Sequence, residues 1–163
     1  MINNILFRCD VDEKNGFGHF SRCLNISRAI QTIHPEISIS FLGQYNDFAV
    51  DLLEKYQLLQ TDSQSSFIGS IEFQLETAKQ YDCLVLDSYF VDQDYIDKFV
   101  NQSFKFVKID DFNELNLEEL DLVINFCISA HENSYKGKEI CLGVSFFPVR
   151  NELKIIRLKN ELV

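Results

Sequence analysis

No Cys-x-x-Cys pair occurs among the five cysteines, at positions 9, 23, 83, 127 and 141. A zinc ribbon and a dithiol redox site are therefore disfavoured. There is no His-x-x-x-His spacing either, so a metal centre has no support. Neither GxxxxGK[ST] nor GxGxxG is present, which disfavours a P-loop or dinucleotide site, and no cofactor is expected. No apolar run approaches the ~20 residues that span a bilayer. The N-terminal MINNILFRCD has no basic region leading into a long apolar stretch, so neither membrane insertion nor a signal peptide is expected. Positive charge is scarce: 15 Lys and Arg against 25 Asp and Glu leave a net charge of −10. Such a surface repels phosphate backbones, and nucleic acid is not an expected partner. Backbone amides can still hold a small phosphorylated ligand.

What is present is a core. Of 163 residues, 46% are apolar, with 15 phenylalanines and no tryptophan, enough for one domain with an aromatic interior. Cys9, Cys83, Cys127 and Cys141 stand in apolar, strand-like runs, where a free thiol behaves as a small hydrophobe. A reduced, cytoplasmic protein follows.

The pattern predicts strands at residues 3–9, 37–42, 82–87, 104–109 and 122–126, with weaker ones at 58–59 and 139–142. Between them a helical stripe runs from Phe20 to Ile33 and is ended by His34-Pro35. Further helices are predicted from Asp47 to Tyr56, Ile68 to Tyr81 and Asp92 to Asn101, with Asp47 and Asp92 as caps and Phe48, Leu52 and Leu53 inward in the first of these. Residues 61–66 read as a loop and 115–119 as a turn or short helix. This alternation predicts a doubly wound, mainly parallel α/β sheet with helices on both faces. No internal repeat or low-complexity tract is visible.

In such sheets ligands bind at the carboxyl ends of strands. Asp10, the Gly16-Phe17-Gly18-His19 loop, Ser88-Tyr89 and Asp110-Asp111 all fall there. Two glycines before a helix allow positive φ and close approach of a ligand to the helix N-terminus. His19 sits where the macrodipole disfavours imidazolium, so a neutral ring able to accept a proton is expected. A tight connection with a packed histidine explains the same residues equally well. Asp87 and Tyr89 bring a carboxylate and a phenol to the cleft, and Arg22 and Arg8 are candidate anion partners. Asp110-Asp111 is read first as a turn and cap pair. His34 and His131 lie in turn and loop segments and are assigned no role.

The stretch FRCD…GFGHFSRCLNIS resembles the opening of the UDP-2,4-diacetamido-2,4,6-trideoxy-β-L-altropyranose hydrolases of pseudaminic acid biosynthesis, approximately FRxDxS…IGxGHxxRCLxLA. These are similar to spore-coat polysaccharide proteins and share the GT-B glycosyltransferase fold. The likeness continues in order through LVLDSYFVD (a DxYxxD element), FVKIDDF, LVINF and LGVSFFPVRNEL. Asp12 stands where the family often has serine, and Asn125-Phe126-Cys127 keeps only the first residue of the family's NQN. The resemblance implies that His19 activates water for attack at the anomeric carbon, releasing UDP with inversion. It implies substrate-binding roles for Asp10, Gly16, Gly18, Arg22, Asp87 and Tyr89, no metal and no cofactor. It also implies a Rossmann-like, sugar-side domain over residues 1–150 and a linker or tail over 151–163. A second, nucleotide-binding domain, absent from this chain, would complete the site. Two other readings stay open: a glycosyltransferase domain using a sugar acceptor, and a non-catalytic sugar-nucleotide-binding or assembly module.

Overall fold

The structure, a computed structural model, describes residues 1–11, 16–60, 70–130 and 135–149. In chain order the elements are β1 (Asn4–Arg8), α1 (Gly18–Ile33), β2 (Ser38–Leu42), α2 (Asp47–Lys55) and β3 (Leu59–Gln60). There follow α3 (Ile71–Ala78), β4 (Cys83–Leu86), α4 (Gln93–Phe99), β5 (Lys105–Ile109), β6 (Leu122–Asn125), β7 (Ile140–Leu142) and a 3-10 turn at Val144–Phe146. The strands form one sheet in the order β3-β2-β1-β4-β5-β6-β7, and every pairing is parallel. The fold is Rossmann-like and doubly wound, as the alternation of elements predicts. Winding reverses between β1 and β4, and that is where such sheets open a crevice.

Parallel strands covered on both sides must be apolar on both faces, and the alternation of side chains sorts them into two cores. Ile5, Phe7 and Cys9 of the first strand, with Val85, Val107 and Ile109, pack against Phe20, Cys23 and Leu24 of α1 and Ala49 and Leu53 of α2. Leu6, Leu84, Leu86 and Phe106 pack on the opposite face against Ala78 of α3 and Tyr95, Ile96 and Phe99 of α4. Phe7, Phe20 and Phe41 are wholly buried, with Phe7 and Phe41 stacked at 5.2 Å. The phenylalanine-rich composition thus becomes an aromatic core on both faces, with Phe99, Phe104 and Phe106 in ring contact on the α4 side.

Several boundaries differ from the sequence reading. The cap of α2 is Asn46, whose extended backbone lets its side chain accept from the Ala49 N–H. Asp47 lies in the first turn instead, where a carboxylate suits the helix dipole. Phe48 of that helix is exposed and leans on Phe17 at 5.5 Å, because Ala49 and Leu53 occupy the inward positions. The third helix begins at Ile71 with Ser70 as cap, and the expected start at Ile68 lies outside the described residues, as do the loop at 61–66 and the tail at 151–163. Asp92 caps α4 as expected, accepting from the Tyr95 N–H. Cys127 is exposed and Cys141 only partly buried: the first follows the end of β6, the second lies on the edge strand, and neither is a core position.

Gly43 ends β2 beside the first turn of chain after β1. A Cβ there would overlap the Cys9 backbone carbonyl and crowd the Tyr45 phenol at 2.7 Å, and backbone cannot yield as a flexible side chain does. Gly43→Ala is expected to destabilise the protein by about 1–3 kcal/mol, the usual cost of overpacking, read as a lower urea midpoint.

Candidate active site

The site is built from one side of the crevice, and the period-two rule decides its membership. Asp87 and Tyr89 continue the Cys83–Val85 parity beyond β4, and Asp111 continues the Val107–Ile109 parity beyond β5. All three therefore project toward α1. On the helix, His19, Arg22 and Cys23 stand at i, i+3 and i+4 and share the face that meets them.

Asp87 is at the centre, 1% exposed. Its Oδ1 lies 2.6 Å from His19 Nδ1 and accepts from Arg22 Nη2 at 2.6 Å. Its Oδ2 accepts from Arg22 Nε and from the Cys23 thiol at 3.6 Å. The carboxylate thus holds a two-pronged guanidinium and one imidazole nitrogen together. With Nδ1–H donating to Asp87, His19 keeps Nε2 as its lone-pair nitrogen. Burial alone would raise the Asp87 carboxyl, but the hydrogen bonds from Arg22 and His19 together outweigh it and hold the group below the ordinary carboxylate range.

Arg22 also donates from Nη1 to Asp111 at 2.8 and 3.2 Å. Tyr89 donates its hydroxyl to the same carboxylate at 2.7 Å and lies edge-on to the His19 ring, centroids 4.2 Å apart. Desolvation first, then the hydrogen bond to Asp111, raises the Tyr89 phenol to about 12, so it is a donor at neutral pH. With the imidazole counted as neutral, two carboxylates against one guanidinium give this cluster a formal charge of minus one. Beyond it a cleft of about 870 Å³ runs from Gly18 and His19 past Phe112 and Phe126 to Phe147 and Val149. The wall on the β6 side is thus largely aromatic and aliphatic.

Of the residues singled out from sequence, His19, Gly18, Arg22 and Tyr89 line this cleft, and Asp87 lies directly beneath it. Arg22 is committed to Asp87 and Asp111, so it is not free to take an anion. Asp10 is placed elsewhere. It shares the parity of Arg8, contacts that guanidinium at 2.7 Å, accepts from the Gln44 N–H and lines a separate cavity of about 250 Å³ on the α3–α4 face. Gly16 adopts φ +63, the left-handed conformation that calls for glycine, and shapes the turn into α1. That helix starts with no side-chain cap and no acid in its first turn.

The sequence reading of Asp110-Asp111 as a turn pair holds for one residue only. Asp110 accepts from the Asn113 N–H and from Tyr135, whereas Asp111 belongs to the site. Asn125 is buried on the Asp110 side, bonded to Tyr135 and to the Cys127 N–H. Among the described residues no group of side chains could hold a metal ion. Nor is any described helix long and apolar enough to cross a membrane.

No family model and no curated protein matches the chain. Among solved structures, hypothetic protein SMU.573 from Streptococcus mutans is similar over 77% of this chain, at 6% identity and a TM-score of 0.47. The match covers 46% of that protein, about half its length, and the likeness is too low to bear on the site.

Removing one partner from a buried ionic cluster costs about 3–5 kcal/mol. Asp87→Asn is expected to lose that much at pH 7. Because the folded-state value of Asp87 is lowered, its stabilisation is complete above its unfolded value, about pH 4, and is lost as pH falls through the folded value. Urea unfolding at pH 7 and at pH 3 is expected to show the gap between wild type and variant narrowing in acid.

Proposed function

We propose that this chain is the sugar-side domain of a UDP-aminosugar hydrolase of nonulosonic acid biosynthesis, with His19 as its general base. The observation that carries the reading is the His19 Nδ1–Asp87 contact of 2.6 Å at the mouth of the switch-point crevice. A buried carboxylate fixes the tautomer and orientation of the ring, as the third member of a catalytic triad does for its histidine.

In the reaction, Nε2 takes a proton from water as the water oxygen bonds to the anomeric carbon. The bond from that carbon to the diphosphate oxygen breaks, its electron pair leaves with UDP, and the sugar is released with inverted configuration. Three features support this chemistry. The cluster's single negative charge favours the oxocarbenium character that glycosyl transfer develops. Tyr89 and Asp111 offer a donor and an acceptor for sugar hydroxyl and amide groups. The uncapped start of α1 at Gly18 presents backbone N–H groups that suit a diphosphate. A second, nucleotide-binding domain supplies the uridine contacts in this reading, and the protein works in the cytoplasm.

A glycosyltransferase of the same architecture is favoured by one observation, the size of the cleft, about 870 Å³, which has room for an acceptor sugar as well as a substrate. UDP release measured with and without acceptor sugars separates the two reactions. The assay for the leading reading is UDP release from UDP-2,4-diacetamido-2,4,6-trideoxy-β-L-altropyranose with a nucleotide-binding domain supplied. His19→Ala is expected to lower the rate by about 10²–10⁴, the usual contribution of a general base. Unchanged hydrolysis would remove His19 from the mechanism and leave the non-catalytic binding module.

A further inference from the structure

His19 lines the cleft, yet only 4% of it is exposed. Its cover is Tyr89, which lies edge-on at 4.2 Å and is itself 50% exposed. The outer side of the Tyr89 ring rests on Phe112, 4.9 Å away, and Phe112 is also exposed. A ring so open to water is weakly held by packing alone. The directed tie is its hydroxyl bond to Asp111 Oδ2. Asp111 is held in turn by both bonds from Arg22 Nη1, and Arg22 is anchored on the buried Asp87. Capping the turn after β5 does not need Asp111, because Asp110 does it. Its carboxylate instead joins the base's anchor to the base's cover.

We infer that Asp111 is a positioning residue that latches Tyr89 over His19, so that access to the base depends on opening the Tyr89–Asp111 hydrogen bond. The inference rests on the reading of His19 as the reactive group and describes how that site is gated. A ligand hydroxyl or amide that competes for Asp111 releases the phenol, and the ring can then leave the imidazole. An empty site stays closed, and a suitable ligand opens its own route to Nε2.

The test needs no turnover. Hydrogen–deuterium exchange at the imidazole C2 carbon, followed by mass spectrometry on the full chain across pH, gives a plateau rate that reports solvent access to the ring. His34, whose side chain is 57% exposed, is the internal reference. Loss of a hydrogen bond to a charged acceptor is expected to raise the open population roughly tenfold. Tyr89→Phe and Asp111→Ala should therefore each raise the His19 plateau rate roughly tenfold without moving that of His34. Tyr89→Ala sets the upper limit, and the double variant Tyr89→Phe/Asp111→Ala should be no faster than either single change, because both break one bond. Tyr89→Phe removes one oxygen from an exposed ring, so it remains informative even if Asp111→Ala fails to fold. A rate raised by Tyr89→Ala but unchanged by Tyr89→Phe would overturn the latch. A rate unchanged by all three would overturn the cover itself. Neither result depends on UDP release, so a failure of the latch is distinct from a failure of the hydrolase reading.

Discussion

A carboxylate buried at the end of the central strand is the constraint on which the active face depends. Asp87 has almost no contact with water, and an isolated buried charge would be prohibitively costly. It is tolerable because α1 delivers a guanidinium in two-pronged geometry, an imidazole N–H and a thiol to its two oxygens. Those donors lie within five consecutive residues of one helix, so satisfying Asp87 fixes the rotation and axial position of α1 against β4. Any shift large enough to free His19 from Asp87 would also strand Arg22. Orientation of the His19 ring and stability of the helix–sheet contact are therefore one property.

The same alternation that builds two cores sorts the polar clusters at the sheet's carboxyl edge onto opposite faces, as two of them show beside the Lys108–Asp110 group at the end of β5. One contains His19, Arg22, Asp87, Tyr89 and Asp111. The other contains Arg8, Asp10, Gln74 and Tyr95, with Arg8 Nε donating to Gln74 at 3.0 Å and Tyr95 to the same oxygen at 2.7 Å. Arg8 is the last residue of β1 and is buried, and there Asp10 offsets its charge. Of these two, only the first carries an imidazole, whose Nε2 has no hydrogen-bond partner among the described residues, beside the large cleft.

Much of this was legible in the sequence. The apolar runs and the helical stripe from Phe20 to Ile33 indicate an alternating parallel fold, and in such sheets the carboxyl ends of β1, β4 and β5 are where a site forms. A strand end taken as a unit hides which face each of its residues serves. Asp10 and Asp87 both follow apolar strands, but Asp10 has the parity of Leu6 and Asp87 that of Val85, so they project to opposite faces. The same count separates Asp111 from Asp110 and was available in principle. The partnership of Arg22 with Asp87 was not, because it depends on the depth at which α1 packs. The aromatic wall from Phe126 and Phe147 likewise depends on how the chain after β7 returns across the sheet edge.

Under the hydrolase reading proposed above, the electrostatics of the cluster would also decide which end of a nucleotide sugar it suits. Arg22 is the one cation of the cluster, and its bonds run to two carboxylates. A diphosphate placed against it would meet Asp87 and Asp111 at the same time and would have to displace one of them. The opposite arrangement is unstrained: the sugar, neutral in its ground state and cationic in character as its bond to the leaving group lengthens, lies beside the negative cluster. In that reading the diphosphate lies toward the glycine turn, facing the backbone N–H groups at the start of α1. An acidic site of this kind favours the transition state over the bound phosphate, and that difference, not tight binding of the substrate, is what lowers a barrier.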